Sequence, residues 1–373
     1  MNMNKKKINV AILFGGKSAE HEVSLQSAKN VLDAIDRDKY NPILIGIDKR
    51  GRWLLSDAPG LGQGGNSRIL LNAHNPKLIK LNKSSNRVAL APQSEGKLAN
   101  LSRPESRQTI DVVFPILHGP FGEDGTVQGL LKLADVPFVG AGVLGSAIGM
   151  DKDVMKRLLR EAKIPIAQFL VFQNRKNLSF EKIAQYLGLP FFVKPANMGS
   201  SVGIHKVKAK ADFRPAVNDA FQYDSKIIIE EFIEGREIEC AVLGNDNPIA
   251  SIPGEVIPTA EFYSYEAKYI DENGALLEIP AKLPLHLVKR VQALAIKTFK
   301  VLSCEGMGRV DCFLKKSGKV IVNEINTIPG FTSISMYPRL WGATGIGYTE
   351  LIDRLIQLAM ERFERERKLK TSY

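Results

Sequence analysis

Short apolar runs alternate with segments of helical periodicity along the first third of this chain. Residues 8–14 form an apolar run of strand length that ends at two glycines. After Ser24, a suitable helix N-cap, apolar residues recur at helical spacing over 25–35, and 42–47 is again strand-like. Strands that alternate with helices predict an α/β domain with a mainly parallel sheet and helices on both faces.

The 373 residues are enough for two or three domains with separate cores. Residues 56–109 interrupt the alternation because they are rich in Gly, Asn, Ser and Lys, and we interpret them as an insertion of hairpin or loop character. Residues 140–150 are expected to form a linker and turn into a second region. A third region should contain a helix over 285–302 and a last helix from Tyr348.

Composition excludes several classes of protein. No apolar run approaches the roughly 20 residues that span a bilayer, and the N-terminus lacks a secretory signal, so we expect a cytoplasmic protein without a membrane partner. The three cysteines, Cys240, Cys304 and Cys312, lack metal-ligand spacing and are expected to be buried thiols. The net charge of +11 leaves a basic nucleic-acid-binding protein as an alternative, which steep salt-dependent DNA binding would reveal. The scattered basic residues do not favour it.

Two neighbouring strands near the C-terminus carry polar side chains on shared faces. Arg309 and Asp311 share one face of the first strand, and Glu324 and Asn326 share one face of the next, because strand side chains alternate. A short glycine-containing turn over 316–318 should pair these strands as a hairpin. Carboxylate and amide oxygens suit Mg²⁺ together with substrate phosphates. The alternative is a polar, solvent-facing side of the hairpin.

A small-residue loop follows a strand that ends at Lys194. Its sequence, Pro-Ala-Asn-Met-Gly-Ser-Ser-Val-Gly, ends at Gly203 and allows backbone N–H groups to close on phosphate oxygens. It lacks the Walker pattern, and a mobile hairpin loop is the alternative.

Two further loops lie where open α/β sheets bind ligands, after strands. One contains His118 and several glycines. The other contains Glu22, which could pair with a substrate ammonium or serve as a first-turn acid that suits the helix dipole. Neither loop contains G-x-G-x-x-G, so a dinucleotide oxidoreductase is a weak alternative. A third segment, 262–269, holds aromatic residues and a lysine, and is either a lid over the site or a loop packed by its aromatics.

Together these segments resemble the D-alanine–D-alanine ligases, members of the ATP-grasp fold. The resemblance is carried by five motifs in order: Gly-Gly-Lys-Ser-Ala-Glu-His-Glu-Val-Ser, His-Gly-Pro-Phe-Gly-Glu-Asp-Gly, Lys-Pro-Ala-Asn-Met-Gly-Ser-Ser-Val-Gly, Tyr-Glu-Ala-Lys-Tyr and Asn-Glu-Ile-Asn-Thr-Ile-Pro-Gly-Phe-Thr. It runs from residue 8 to about residue 343 without the 56–109 stretch, and implies three domains. These are a Rossmann-like domain over 1–145, a central ATP-grasp subdomain over 146–232 and a C-terminal subdomain over 233–373 with the metal and substrate site.

The resemblance also implies roles for individual residues. Those implied to bind ATP are Lys152, Lys194, Ser200, Ser201, Glu230, Glu231, Ile233 and Glu237. Those implied to bind two magnesium ions, or manganese in their place, are Asp311, Glu324 and Asn326. Those implied to bind the two D-alanines are Glu22 and His118 for the first, and Lys268, Ser335 and Met336 for the second. Arg309 and the Gly330 N–H resemble an oxyanion clamp, and Glu22, Ser200 and Tyr269 resemble a set that fixes the lids.

The activity implied by the resemblance is ATP-dependent joining of two D-alanines through a D-alanyl phosphate, for peptidoglycan synthesis. Tyr269 resembles the mark of the dipeptide-forming type. At Met336 some members have Leu and others Arg, so ligases that make D-Ala–D-Lac or D-Ala–D-Ser stay as alternatives. The family also implies a homodimer.

Overall fold

A computed structural model describes residues 6–55, 71–72, 75–79, 86–103, 105, 107–176, 178–258 and 275–370. Lys268 and Tyr269 lie outside the described residues, so the roles expected for them stay predictions.

The N-terminal region is an α/β domain. Its elements are β1 (Ile8–Gly15), α1 (His21–Ala34), β2 (Tyr40–Ile47), β3 (Trp53–Leu55), β4 (Leu71–Asn72), β5 (Asn75–Ile79), β6 (Asn86–Leu90), β7 (Lys97–Asn100), β8 (Arg107–Thr109), β9 (Val112–Leu117), α2 (Thr126–Leu133) and α3 (Val143–Met150). The described strands form a sheet in the order β8-β7-β6-β3-β2-β1-β9, and β4 pairs with β5.

The sheet of this domain is mixed, whereas the sequence predicted a mainly parallel one. Only its centre is parallel, where β1 lies between β2 and β9. From β3 outward the neighbours are antiparallel, because the segment read as an insertion adds its strands β6, β7 and β8 to the edge. Short connections, which allow only antiparallel pairing, join β2 to β3, β6 to β7 and β7 to β8.

Helix α3 lies where a linker was expected. Glycine and alanine gave residues 140–150 the composition of a turn, but two of the glycines serve helix packing. A Cβ on Gly145 would lie 2.6 Å from the Ser303 carbonyl oxygen, and one on Gly149 would lie 2.9 Å from the Thr327 methyl group. The small residues therefore let the helix approach the C-terminal region closely.

The central region is built on an antiparallel sheet. Its elements are α4 (Lys152–Glu161), β10 (Phe169–Phe172), α5 (Phe180–Leu187), β11 (Phe191–Pro195), β12 (His205–Val207), α6 (Lys210–Tyr223) and β13 (Ile227–Glu231). The strand order is β10-β13-β11-β12. Apolar residues of α5, α6, β11 and β13 form its separate core.

The C-terminal region carries a second antiparallel sheet. Its elements are β14 (Arg236–Gly244), β15 (Ile249–Ala250), β16 (Gly254–Pro258), β17 (Ala275–Glu278), α7 (Leu285–Val301), β18 (Gly306–Leu314), β19 (Val320–Asn326), α8 (Met336–Thr344) and α9 (Tyr348–Arg367). The order is β17-β16-β14-β18-β19, with β15 beside β14. The predicted helices and the hairpin of β18 and β19 are confirmed. Within the described ranges, every helix is too short or too polar to span a bilayer.

The last helix packs on the first domain. Leu351, Leu355 and Ile356 of α9 belong to the same apolar core as Val10 and Ile12 of β1. At the other end of α9, the buried guanidinium of Arg362 donates to the carbonyl oxygens of Phe138 and Gly140 at 2.7 and 2.5 Å. The two ends of the sequence therefore share one core.

Gly15 ends β1 with a backbone φ of +92°, and a Cβ there would lie 2.2 Å from the Ile47 carbonyl oxygen. We expect Gly15→Ala to lower the free energy of unfolding by about 1–3 kcal/mol more than Gly51→Ala does. Gly51 is the matched control because its φ is also positive, at +80°, but nothing lies within 4 Å of its added Cβ. Urea denaturation of both variants measures the difference, and equal losses would show that crowding at Ile47 is unimportant.

Candidate active site

A cavity of about 410 Å³ lies where the three regions meet. The loops after β1 and β9 contribute to its wall, as expected for the carboxyl ends of parallel strands. The predicted site residues that line it are His118, Lys152, Ser200, Glu237, Arg309, Asp311, Glu324, Asn326, Gly330, Ser335 and Met336. Lining residues that the sequence reasoning missed include Glu20, Glu123, Met198, Glu239 and Arg339.

The paired strands β18 and β19 place the polar cluster. Arg309 lies opposite Asn326 and Asp311 lies opposite Glu324 in the register. The Arg309 guanidinium donates from Nε and Nη2 to the two Asp311 carboxylate oxygens at 2.8 and 2.7 Å. Its Nε also lies 2.9 Å from Glu239 Oε2. Glu239 stands opposite Asp311 on β14, and the alternation from Glu237 could have identified it.

The oxygens of this cluster fit a magnesium ion. Asn326 Oδ1 is buried without a hydrogen-bond partner and faces the cavity with Asp311 and Glu324. The described residues contain no preformed group of three or more His, Cys, Asp or Glu side chains for a metal. Two carboxylates and one amide oxygen suit Mg²⁺, which takes its remaining ligands from phosphate and water.

Lys152 supplies a cation on the wall near these oxygens. It is the first residue of α4, which begins after Asp151, whose side chain accepts hydrogen bonds from the backbone N–H groups of Asp153 and Val154. The buried Lys152 Nζ donates to the Met198 carbonyl oxygen at 2.7 Å and lies 3.6 Å from Glu324 Oε2. The ammonium thus lies between the small-residue loop and the Glu324 carboxylate.

Lys194 and Glu230 are paired on neighbouring strands but do not line the cavity. Lys194 Nζ lies 2.8 Å from Glu230 Oε2, and a second lysine, Lys156, is ion-paired with Glu230 Oε1. Burial alone would raise the pKa of Glu230, but the two lysines lower it to about 2. Lys156 was missed, although it lies four residues after Lys152 and so on the same face of α4.

The other predicted ATP-binding residues lie around this pair. Ser200 and Ser201 have positive φ values of 52° and 61°, so the loop turns sharply there. The Glu231 carboxylate accepts the Gln168 N–H at 2.7 Å, and the Glu231 N–H donates to the Gln168 carbonyl oxygen at 3.0 Å. Ile233 is buried beside Ala167 and Ile321 and does not line the cavity.

The structure contradicts the prediction for Glu22. Its side chain is 55% exposed, pairs with Lys49 at 3.1 Å and does not line the cavity. Glu20 does line it and is only 7% exposed. The reason is that α1 begins at His21, so Glu20 lies in the loop that lines the cavity, whereas Glu22 projects from the first turn of the helix into solvent. Gly119 and Gly199 leave room for the Glu20 carboxylate.

The region around Ser335 also lines the cavity. Ser335 is the N-cap of α8, and its Oγ accepts the Thr332 N–H at 2.9 Å and shares a hydrogen bond with Thr332 Oγ1 at 2.7 Å. A Cβ on Gly330 would lie 2.8 Å from Ser335 Oγ, so the backbone of Gly330 comes close to this hydroxyl. Met336, the first residue of α8, is buried beside them.

Comparisons with known proteins agree with this geometry. The family model described as D-ala D-ala ligase C-terminus matches residues 158–357, and the one described as D-ala D-ala ligase N-terminus matches residues 9–141.

The chain belongs to the D-alanine–D-alanine ligase family.

Its relatives cover it almost completely. It is 53% identical to a D-alanine–D-alanine ligase of Oceanobacillus iheyensis, over 99% of both chains. It is 52% identical to D-alanine–D-alanine ligase A of Escherichia coli strain K12, over 98% of this chain and 100% of the relative.

Solved structures show the same ATP-grasp architecture. The D-alanine-D-alanine ligase from Coxiella burnetii has a TM-score of 0.84 and 39% identity, over 98% of this chain and 97% of that one. The VanG D-Ala:D-Ser ligase from Enterococcus faecalis has a TM-score of 0.83 and 36% identity, over 95% of this chain and 100% of that one. The predicted family, fold and enzyme class are therefore confirmed.

His118 and Glu123 of the ligase line the same cavity as Glu20. His118 Nδ1 lies 3.1 Å from the Ile328 carbonyl oxygen, and burial lowers the pKa of its imidazole. The Gly119 N–H donates to Glu123 at 2.7 Å. Burial, with Glu20 nearby, raises the pKa of Glu123 from 4.5 to about 8. Glu123 therefore carries a proton at neutral pH.

This buried proton should appear in the pH dependence of stability. In the folded ligase Glu123 keeps its proton up to about pH 8, whereas in the unfolded chain it loses it near pH 4.5. The free energy of unfolding should therefore fall as the pH rises between these values. Glu123→Gln, which keeps an oxygen for the Gly119 N–H, should flatten that fall. Urea midpoints of both proteins across the pH range measure it, and parallel profiles would contradict the assignment.

Proposed function

We propose that this ligase joins two D-alanines in an ATP-dependent reaction that releases ADP and phosphate. The proposal rests on one observation: Arg309, Asp311, Glu324 and Lys152 line the same cavity as Glu20 of the loop after β1. This arrangement can hold a triphosphate at one end and an amino acid at the other.

The first step would activate a carboxylate, which alone is a poor electrophile. A carboxylate oxygen of the first D-alanine attacks the γ-phosphorus of ATP, the bond to the β–γ bridging oxygen breaks and ADP leaves. Lys152 and Lys194 would neutralise phosphate charge. Asp311, Glu324 and Asn326 would hold magnesium, which on binding supplies further positive charge to the phosphates. Glu20 would fix the ammonium group of the first D-alanine.

The second step would form the peptide bond. The neutral amine of the second D-alanine attacks the acyl phosphate carbon, and negative charge develops on the carbonyl oxygen. Arg309 and the Gly330 N–H would stabilise that charge, after which the bond to the phosphate oxygen breaks and phosphate leaves with the proton that the amine nitrogen gives up. Ser335, Met336 and Lys268 would position the second substrate. The loop around Ser200 and the segment that contains Tyr269 would keep water from the acyl phosphate.

The second substrate decides between two candidate activities. Similarity to a D-Ala:D-Ser ligase favours a D-Ala–D-Ser product as the second candidate. ADP formation should be measured with D-alanine alone, and then with D-serine or D-lactate added. Turnover with D-alanine alone, abolished by EDTA and restored by Mg²⁺ or Mn²⁺, is expected. No turnover without D-serine or D-lactate would assign the other activity.

The pathway and the cellular compartment of the enzyme follow from the same proposal. A dipeptide of D-alanine is a peptidoglycan precursor, and ATP and free thiols are found together in the cytoplasm. Cys240, Cys304 and Cys312 are free and buried, which is compatible with that compartment. A homodimer is proposed from the family, and analytical ultracentrifugation would test it.

A further inference from the structure

Lys156 stands at a junction of three elements and has no place in the mechanism above. It projects from α4, is 1% exposed, and is ion-paired with Glu230 on β13. Its Nζ also donates to the Asn323 carbonyl oxygen on β19 at 3.2 Å. Asn323 immediately precedes Glu324, so one buried ammonium connects β13, which carries Glu230, with the strand of the proposed metal ligands.

Two lysines share the single Glu230 carboxylate. Lys156 and Lys194 each contact a different oxygen of it. Their surroundings differ, because the Lys194 side chain is 12% exposed whereas that of Lys156 is 1% exposed. Lys156 contacts β13 and β19 from α4, while Lys194 stands next to the small-residue loop and is the more exposed of the two. Lys194 is therefore the better placed lysine to exchange Glu230 for a ligand.

The charge of Lys156 affects how readily Lys194 can exchange Glu230 for a ligand. Glu230 is 3% exposed, and a buried carboxylate without a cation is strongly unfavourable. If Lys194 were its only partner, a nucleotide phosphate would have to compete with Glu230 for that ammonium. With Lys156 in place, Glu230 stays compensated after Lys194 turns away.

We propose that Lys156 is a positioning residue that keeps Glu230 compensated and so releases Lys194 to bind a nucleotide phosphate. This inference rests on the proposed function, because it assumes that Lys194 contacts ATP. It adds to that function a reason for the paired lysines, and it assigns to Lys156 an effect on nucleotide binding rather than on the D-alanine sites.

The test is a double-mutant cycle on nucleotide affinity. The dissociation constant of adenylyl imidodiphosphate with Mg²⁺ is measured for the wild type, Lys156→Met, Glu230→Gln and the double variant. We expect Lys156→Met to weaken binding about 10- to 100-fold in the wild-type background, and less than about threefold in the Glu230→Gln background. The KM for D-alanine should change little, and Lys156→Arg should restore most of the affinity.

Replacing a lysine that only anchors one helix to another should not affect nucleotide affinity. Lys297→Met is the matched control, because the Lys297 ammonium anchors α7 to the last turn of α4 through the Ala162 carbonyl oxygen at 2.8 Å, away from Glu230. It should leave nucleotide affinity unchanged. If Lys156→Met does not fold, Lys156→Gln replaces it in the cycle, since its amide can still donate to Asn323.

The outcomes separate the two proposals. Equal losses from the Lys156 substitution with and without Glu230 would overturn the inference while leaving the ligase activity intact. A wild type that binds no nucleotide analogue would instead overturn the proposed function.

Discussion

Replacing Arg309 with methionine should lower kcat about 10²–10³-fold at saturating ATP, D-alanine and Mg²⁺, as expected for the loss of one oxyanion donor. The guanidinium is the one described cation that the strand register places beside Asp311 and Glu239 on the cavity wall. Its loss would remove the positive charge from the place where, in the proposed mechanism, the carbonyl oxygen becomes negative. The KM values should change much less than kcat, because that charge exists only in the transition state.

A matched control separates chemistry from stability. Arg236 forms a similar two-point ion pair with the buried Glu255 on the same sheet, with Nε donating at 2.8 Å, but it does not line the cavity. Both substitutions leave a carboxylate without its cation and should lower stability. Only Arg309→Met should lower kcat in the folded enzyme. Comparable kcat losses in both variants would show that Arg309 acts through the fold.

The second large effect is expected from Glu20 and not from Glu22. Glu20→Gln should lower kcat/KM for the first D-alanine about 10²-fold or more, because the substrate ammonium loses a buried, charged partner. Glu22→Gln is the control, since the side chain is 55% exposed and its only described ion pair is with Lys49. Exposed pairs contribute little, so its activity should stay close to that of the wild type.

Initial rates at varied D-alanine concentrations give kcat/KM for both variants. The distinction is sharp because the two residues carry the same functional group, two positions apart. Full activity in Glu20→Gln with a large loss in Glu22→Gln would restore the assignment made from the sequence. Equal losses would indicate that the loop after β1 closes differently when substrate binds.

The sequence predicted side-chain positions best in strands, where successive side chains alternate between the two faces. In a hairpin, alternation alone placed Arg309, Asp311, Glu324 and Asn326 on one face, and the register confirms it. The same rule applied to β14 would have found Glu239, two residues from Glu237. Across a loop that leads into a helix, the alternation is lost. The choice between Glu20 and Glu22 therefore depended on where α1 begins, which the sequence leaves uncertain by one or two residues.

Other features depended on contacts distant in sequence. The helical state of α3 follows from glycines that pack against residues near 303 and 327. Lys156 becomes informative only when β13 brings Glu230 against α4. The antiparallel edge of the first sheet depends on β6 pairing with β3, and the composition of the segment between them does not specify a partner.

The position of α9 has a consequence for the folding of this protein during its synthesis. The sheet that leaves the ribosome first lacks part of its apolar cover until the final helix has been synthesised, and Arg362 then closes the contact at Phe138 and Gly140. We expect nascent chains that end before α9 to expose Val10, Ile12 and their neighbours, and to recruit chaperones. A C-terminal truncation would thus be eliminated by cellular quality control before its catalysis could be assayed.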